Sequence, residues 1–159
     1  MNPRHLLIVP LLAVTVGCMT ERRSYQVAVE NKLDRPITFW LVKDHGPAEP
    51  GWLSPEQLAT ESNPPGDDNL PAVIVPPGKT ATTRGPIEGD FDKDRGKALL
   101  RVYAGTPTLT QTLAIGRGSL GRLDVPLQPG ANHLIVQDNN GAMEAVKPQQ
   151  QQQPPEQPK

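Results

Sequence analysis

Three aspartates at alternate positions have the spacing in this sequence that best suits a metal ion. Asp90, Asp92 and Asp94 follow one another as the first carboxylates of a helix-flanked calcium loop do. That loop also needs glycine at its sixth position and a bidentate glutamate at its twelfth, and this sequence has Arg95 and Arg101 there. The complete motif therefore fails. A simpler ion-binding turn stays open as the alternative to solvated loop charges, which we favour.

The histidines, serines and glycines offer no complete catalytic set. His45 and His133 are the only histidines after the N-terminal segment, and a zinc centre needs three or four ligands. Residues 116–121 match G-x-G-x-x-G, but the residues after them alternate as in a strand, whereas a dinucleotide site needs a helix there. We interpret this segment as a glycine-rich hairpin. No serine has a histidine beside it that would act as a base. Taken together, these residues lead us to expect no enzyme, no cofactor and no metal.

The two tryptophans could form an aromatic platform for a partner. The chain has only two Trp, two Tyr and two Phe, and a small domain needs most of these in its core. We therefore expect Trp52 and Leu58 to pack over Trp40. A partner patch at Trp40 and Trp52 is the alternative.

The N-terminus has the order of a secretory signal. Arg4 and His5 precede an uncharged apolar run over residues 6–16, which is too short to span a bilayer. The run ends at Gly17 and Cys18, the only cysteine of the chain. These residues resemble the lipobox of bacterial lipoproteins, in which small residues precede a cysteine that becomes the first mature residue.

The resemblance implies cleavage between Gly17 and Cys18 and acylation of Cys18. The acyl chains on Cys18 then anchor the protein in membrane lipid. Thr15 departs from the family pattern, which usually has leucine there. Two or three acyl chains hold a protein stably on a membrane, whereas one does not. Met19 stands where aspartate would resemble an inner-membrane retention signal, so we favour the outer membrane of a bacterial envelope, facing the periplasm.

Charge and cysteine count exclude several classes of protein. The formal net charge is -1 and no basic block occurs, so we expect no nucleic-acid partner. A single cysteine cannot form an internal disulfide or a zinc site with several thiolates.

The mature sequence is typical of a β protein. Apolar residues alternate along roughly nine short segments, and turn residues separate them. Ser54-Pro55-Glu56-Gln57 has the form of a capping box and predicts one helix over about 55–61. Asn139-Asn140-Gly141 predicts a tight hairpin, and Pro126 predicts an edge strand. Residues 109–115 are also predicted as a strand.

These elements predict an all-β fold, a small antiparallel β-sandwich with one short helix and disordered termini. The strand, Pro-Gly turn and strand order of Val75-Pro76-Pro77-Gly78-Lys79 and of residues 127–134 resembles that of immunoglobulin-like and transthyretin-like modules. We divide the chain into a signal peptide (1–17), a lipidated linker (18–23), the sandwich (24–147) and a Pro/Gln-rich tail (148–159).

The sequence therefore predicts a membrane-anchored envelope lipoprotein that acts as a non-catalytic accessory or protein-interaction module. One alternative is a subunit of a trans-envelope secretion or assembly machine. The other is a periplasmic domain that binds a ligand or catalyses a reaction.

Overall fold

A computed structural model describes residues 21–61, 66, 70–92 and 94–148. The predicted signal peptide, Cys18 and nearly all of the predicted tail lie outside these residues. Within them the chain forms nine strands and two helices: β1 Glu21–Asn31, β2 Ile37–Lys43, α1 Pro55–Ala59, β3 Val73–Val75, β4 Thr80–Thr82, β5 Ile87–Phe91, β6 Ala98–Ala104, α2 Leu109–Ala114, β7 Arg122–Pro126, β8 Gly130–Asn139 and β9 Ala142–Val146. β1 begins inside the stretch that was expected to be a linker.

The strands form two sheets, which confirms the predicted sandwich. In the first sheet β4 and β5 both pair with one edge of β1, whose other edge pairs with β8, and β9 follows. The second sheet has the order β3-β2-β6-β7. The β1–β8 pair is parallel and the other pairs are antiparallel. The sequence did not predict the parallel pair, because pairing partners far apart in the chain leave no local signal.

Two apolar clusters stabilise the sandwich. The larger cluster lies between the sheets, and the smaller one lies on the outer face of the second sheet around Trp40, Leu58 and Tyr103. All seven residues of β2 are buried, as its apolar residues on both faces require. Leu58 of α1 covers Trp40 as predicted, but Trp52 belongs to the cluster between the sheets, so that part of the prediction was wrong.

The second helix corrects the strand predicted over residues 109–115. α2 starts at Thr108, whose side chain accepts a hydrogen bond from the Gln111 backbone, while the Gln111 side chain bonds the Thr108 N–H. The same T-x-x-Q capping box is visible in the sequence, and it outweighs the alternation of Leu109, Leu113 and Ile115. Residues 116–121 then form turns between α2 and β7 instead of a hairpin.

Two local predictions are confirmed. Asn140 and Gly141 have φ angles of 54° and 86°, as the tight turn between β8 and β9 requires. Pro126 lies on β7, an edge strand of the second sheet.

Candidate functional site

The loops of the sandwich gather at two ends. β1 begins at Glu21 at one end, which we call the entry end, where the loops 44–54 and 92–97 and the turn 127–129 also lie. β1 finishes at Asn31 at the opposite end, the far end. There the turns 32–36, 76–79 and 139–141 and the segments 105–108 and 115–121 are found.

A buried lysine closes the entry end. The Lys43 side chain is 3% exposed, and its ammonium group donates to the Glu49 carboxylate and, over 2.9 Å, to the Asp90 carbonyl. The same ammonium lies 4.8 Å from the centre of the Phe91 ring. Burial opposes the charge on Glu49, but hydrogen bonds from Lys43 and the Asp90 N–H outweigh it and lower its pKa. The ion pair therefore fastens the loop after β2 to β5.

Trp52 completes this end from inside the core. Its ring packs edge to face against Tyr25 and Phe91, with ring centroids 5.1 Å and 4.9 Å away, and its indole N–H donates to the Glu88 carbonyl over 2.8 Å. Trp40 is equally buried but lies on the outer face of the second sheet. The structure thus places the two tryptophans in separate clusters and gives neither a surface for a partner.

Arg95 neutralises the candidate ion-binding aspartates. Its guanidinium lies 3.6 Å from Asp90 and 3.8 Å from Asp92, and Asp92 also accepts the Asp94 N–H over 2.8 Å. Among the residues the structure describes, no group of three or more His, Cys, Asp or Glu side chains could hold a metal ion. The geometry therefore favours loop charges that are used within the fold.

The two histidines are not brought together. His45 lies after β2, with its Nδ1 2.8 Å from Asp44, and the same carboxylate accepts the Lys97 N–H over 2.5 Å. A side chain at Gly96, which has a φ of 85°, would collide with the His45 carbonyl, so the two loops touch backbone to backbone. His133 lies on β8 of the other sheet, opposite Ala28.

A buried charge network, which sequence reasoning missed, lies on the outer face of the second sheet. Asp124 of β7 accepts from Arg101 of β6 over 3.1 Å and from Arg122 over 2.8 Å, and Arg101 also reaches Glu56 of α1 over 2.8 Å. Burial works against the charges of Asp124 and Glu56, but these arginines and nearby N–H donors lower both pKa values. The signal in the sequence was the placement of Arg101, Arg122 and Asp124 at alternate positions of two apolar strands.

A buried asparagine organises the far end. The Asn31 side chain is fully buried; it donates to the Arg35 and Val75 carbonyls and accepts the Leu33 N–H, each over 2.9 Å. Its backbone bonds Gly78 and Lys79 over 2.8 Å and 2.9 Å. One residue therefore fixes the turn 32–36 against the turn 76–79.

The far-end loops carry exposed cations. Lys32, Arg35, Lys79 and Arg117 lie in them, together with the carboxylates Asp34 and Asp138, the latter accepting the Gly141 N–H of the β8–β9 turn over 3.0 Å. Lys32 is 3.6 Å from Glu30, and Arg117 is 82% exposed and 3.9 Å from Asp124. Within the described residues, the side chains of Arg35 and Lys79 make no ion pair or hydrogen bond.

An apolar cleft opens along one edge of the sandwich. It has a volume of about 620 Å³ and lies between β3 and the β4–β5 edge, with Phe39, Leu41, Ile74 and Ile87 in its walls. Among the described residues, the only charged side chain that lines it is Arg84, so this part of the chain brings no pair of groups for acid–base chemistry to the cleft.

Comparison with known proteins gives one structural likeness. No family model matches the chain, and no curated protein matches it. The fold is similar to the crystal structure of the T6SS lipoprotein TssJ1 from Pseudomonas aeruginosa, with 15% sequence identity and a TM-score of 0.35. The match covers 81% of this chain and 97% of that one. None of the helices within the described residues is long and apolar enough to span a membrane.

Proposed function

We propose that this protein is a lipid-anchored, non-catalytic module of a bacterial envelope that binds other envelope proteins. The observation that carries its non-catalytic part is the set of ion pairs that engage Glu49, Glu56 and Asp124 within the fold. Glu49, Glu56 and Asp124 all have lowered pKa values, and each is paired with lysine or arginine. Carboxylates of this kind stay charged at neutral pH and hold the fold together. A general acid would need a raised pKa instead.

The start of β1 supports an anchored arrangement. Glu21 is only three residues after Cys18 and is already paired with Phe91 of β5. Three extended residues span about 10 Å, so acyl chains on Cys18 would keep the entry end close to the lipid headgroups. The domain then has one preferred orientation, with the far end pointing away from the membrane.

Tethering supplies the mechanism. A protein confined to one surface meets its neighbours at a raised effective concentration, so a modest contact area is sufficient for a functional association. The secreted domain needs no reactive centre for this role.

The experiment compares the intact protein with a Cys18→Ser variant and a matched Met19→Ser variant in cells supplied with labelled palmitate. We expect label and detergent-dependent membrane association in the intact and Met19→Ser proteins, and neither in Cys18→Ser. In-cell crosslinking should recover an envelope protein with the first two only. Label or membrane association that persists in Cys18→Ser would contradict the anchor, and recovery of the lipidated protein alone would contradict the interaction role.

A further inference from the structure

The two ends of the sandwich differ in charge. The described entry-end loops contain the carboxylates Asp44, Glu49, Asp92 and Asp94 and the cations Arg95 and Lys97. The far end has four cationic side chains and the two carboxylates Asp34 and Asp138. The molecule as a whole is nearly neutral, so this is a separation of charge along the sandwich and not a general excess.

Hydrogen bonds connect the far-end segments that carry the cations. Asn31 joins the turns that carry Arg35 and Lys79. The Gly105 N–H then donates to the Pro36 carbonyl over 2.7 Å, and the Ala104 N–H donates to the Gly121 carbonyl over 3.0 Å. These bonds connect the two turns with the segment 115–121, which presents Arg117 and the 71% exposed Leu120.

The backbone that supports this surface is held by hydrogen bonds, whereas the side chains of Arg35 and Lys79 make no ion pair within the described residues. Three side-chain hydrogen bonds of the fully buried Asn31 hold the backbone of both turns. A preorganised surface loses less conformational entropy on binding than a flexible one does. Exposed cations with no internal partner add to this by attracting an opposite charge and speeding encounter.

We propose that the far end, formed by Lys32, Arg35, Lys79, Arg117 and Leu120, is a docking surface for an acidic segment of another envelope protein. This inference rests on the proposed function, because the anchor decides which way the far end points. Arginine is enriched at protein interfaces, and Leu120 adds an exposed apolar side chain. The partner contributes carboxylates to Arg35 and Lys79 and an apolar residue to Leu120.

The alternatives of a lipid surface or a second copy fit the geometry less well. Residues 21–31 of β1 extend about 33 Å, whereas charges are screened over about 8 Å at physiological salt. The anionic headgroups of the anchoring membrane are therefore out of reach. The acidic loops of a second copy lie at its own entry end, which the anchor holds against lipid.

The first experiment measures binding of poly-L-glutamate to the intact lipidated protein in nanodiscs of zwitterionic lipid. We compare the wild type with an Arg35→Glu/Lys79→Glu double variant and with Lys97→Glu, which reverses an exposed cation at the entry end. We expect about a tenfold loss of affinity in the double variant and none in Lys97→Glu. The proposal would be overturned if the double variant and Lys97→Glu lost affinity for poly-L-glutamate equally. It would also be overturned if phosphatidylglycerol vesicles bound as tightly as poly-L-glutamate through Arg35 and Lys79.

The second experiment places a photo-crosslinking residue at position 79 or at position 97 of the protein in cells. We expect position 79, and not position 97, to give a crosslink whose peptide comes from another envelope protein and is rich in Asp and Glu. Crosslinks from position 79 to lipid, or to this protein itself, would overturn the proposal. All charge variants should remain in the membrane fraction, so a failure here is distinct from a failure of the Cys18 anchor.

Discussion

At the entry end several charged side chains are paired within the fold, whereas at the far end two cations face solvent. Lys43 binds Glu49, Arg95 lies against Asp90 and Asp92, and Asp44 accepts a backbone N–H of the facing loop. At the far end Arg35 and Lys79 have exposed side chains with no ion-pair partner among the described residues. Internal pairing stabilises a structure, whereas an unpaired charge on a rigid support is available to another molecule.

Each end nevertheless contains a buried asparagine that shapes its turns. Asn132 at the entry end accepts the Gln128 N–H over 3.1 Å and donates to the Gln128 and Gly130 carbonyls over 2.8 Å and 3.1 Å. Asn31 does the same for the far end. The backbone is thus built in the same way at both ends, and the difference between them lies in the side chains that the turns present.

We expect the largest loss of stability when the buried Lys43–Glu49 ion pair of the entry end is broken. Lys43→Ala leaves the Glu49 carboxylate without its ammonium partner and removes an aliphatic stem from the core, which should cost about 3 kcal/mol of unfolding free energy. Lys43→Met keeps the stem and should cost about 1 kcal/mol less than Lys43→Ala. Urea unfolding followed by tryptophan fluorescence measures both, because Trp52 lies beside Phe91 in the same cluster.

Arg22 provides the control for this prediction. Its ion pair with Glu88 is exposed, with the two groups 2.8 Å apart, so Arg22→Met should leave the urea midpoint unchanged. Similar midpoints for Lys43→Ala and the wild type would mean that the entry end does not depend on the buried pair.

We expect an intermediate loss of stability when either buried asparagine, Asn31 or Asn132, is replaced, and a loss of binding for only one of them. Asn31→Ala and Asn132→Ala each leave buried backbone groups without a partner, and each should cost about 2 kcal/mol. Only Asn31→Ala should also weaken binding of poly-L-glutamate, since it removes the side-chain bonds that hold the turn carrying Arg35 against the end of β3. The backbone bonds of residue 31 to the turn 76–79 remain. Binding is measured at a temperature at which both variants are folded, as judged by circular dichroism.

Equal binding by the two asparagine variants would show that the far end needs no rigid support. The two ends would then differ in the charge of their side chains and not in the rigidity of their turns. The Arg35→Glu/Lys79→Glu variant would remain the test of that difference in charge.

Local chemistry made much of this fold predictable. The capping box of α1, the Asn-Gly turn after β8 and the edge position of Pro126 depend on neighbours in sequence, and the structure confirms all three. The T-x-x-Q box of α2 was equally visible, but the alternating leucines around it favoured a strand. Where two local signals compete, the cap is the more informative because it satisfies specific backbone donors.

The candidate surfaces were harder to predict because they depend on pairing between distant strands. Nothing near Asn31 in sequence shows that it contacts residues 75–79, and Trp52 gives no local sign that it packs beside Tyr25. Arg35 and Lys79 are common residues of polar turns. Only the topology, which brings both turns to one end, gives them a shared role.

The smallest expected effect is a pH dependence of the stabilisation that the Lys43–Glu49 pair contributes. The pKa of Glu49 is lowered from its ordinary value of 4.5, so its ion pair stabilises the fold fully above that pH. The stabilisation is lost as the pH falls below 4.5 and through the lower pKa of the folded state. The difference in unfolding free energy between the wild type and Lys43→Met should therefore shrink by about 1 kcal/mol on acidification. Arg35 at the far end pairs with no carboxylate among the described residues. The difference in unfolding free energy between the wild type and Arg35→Met should therefore stay constant over the same pH range. A parallel decline in both variants, measured by urea unfolding at several pH values, would show that acid acts on the whole molecule and not on the Lys43–Glu49 pair.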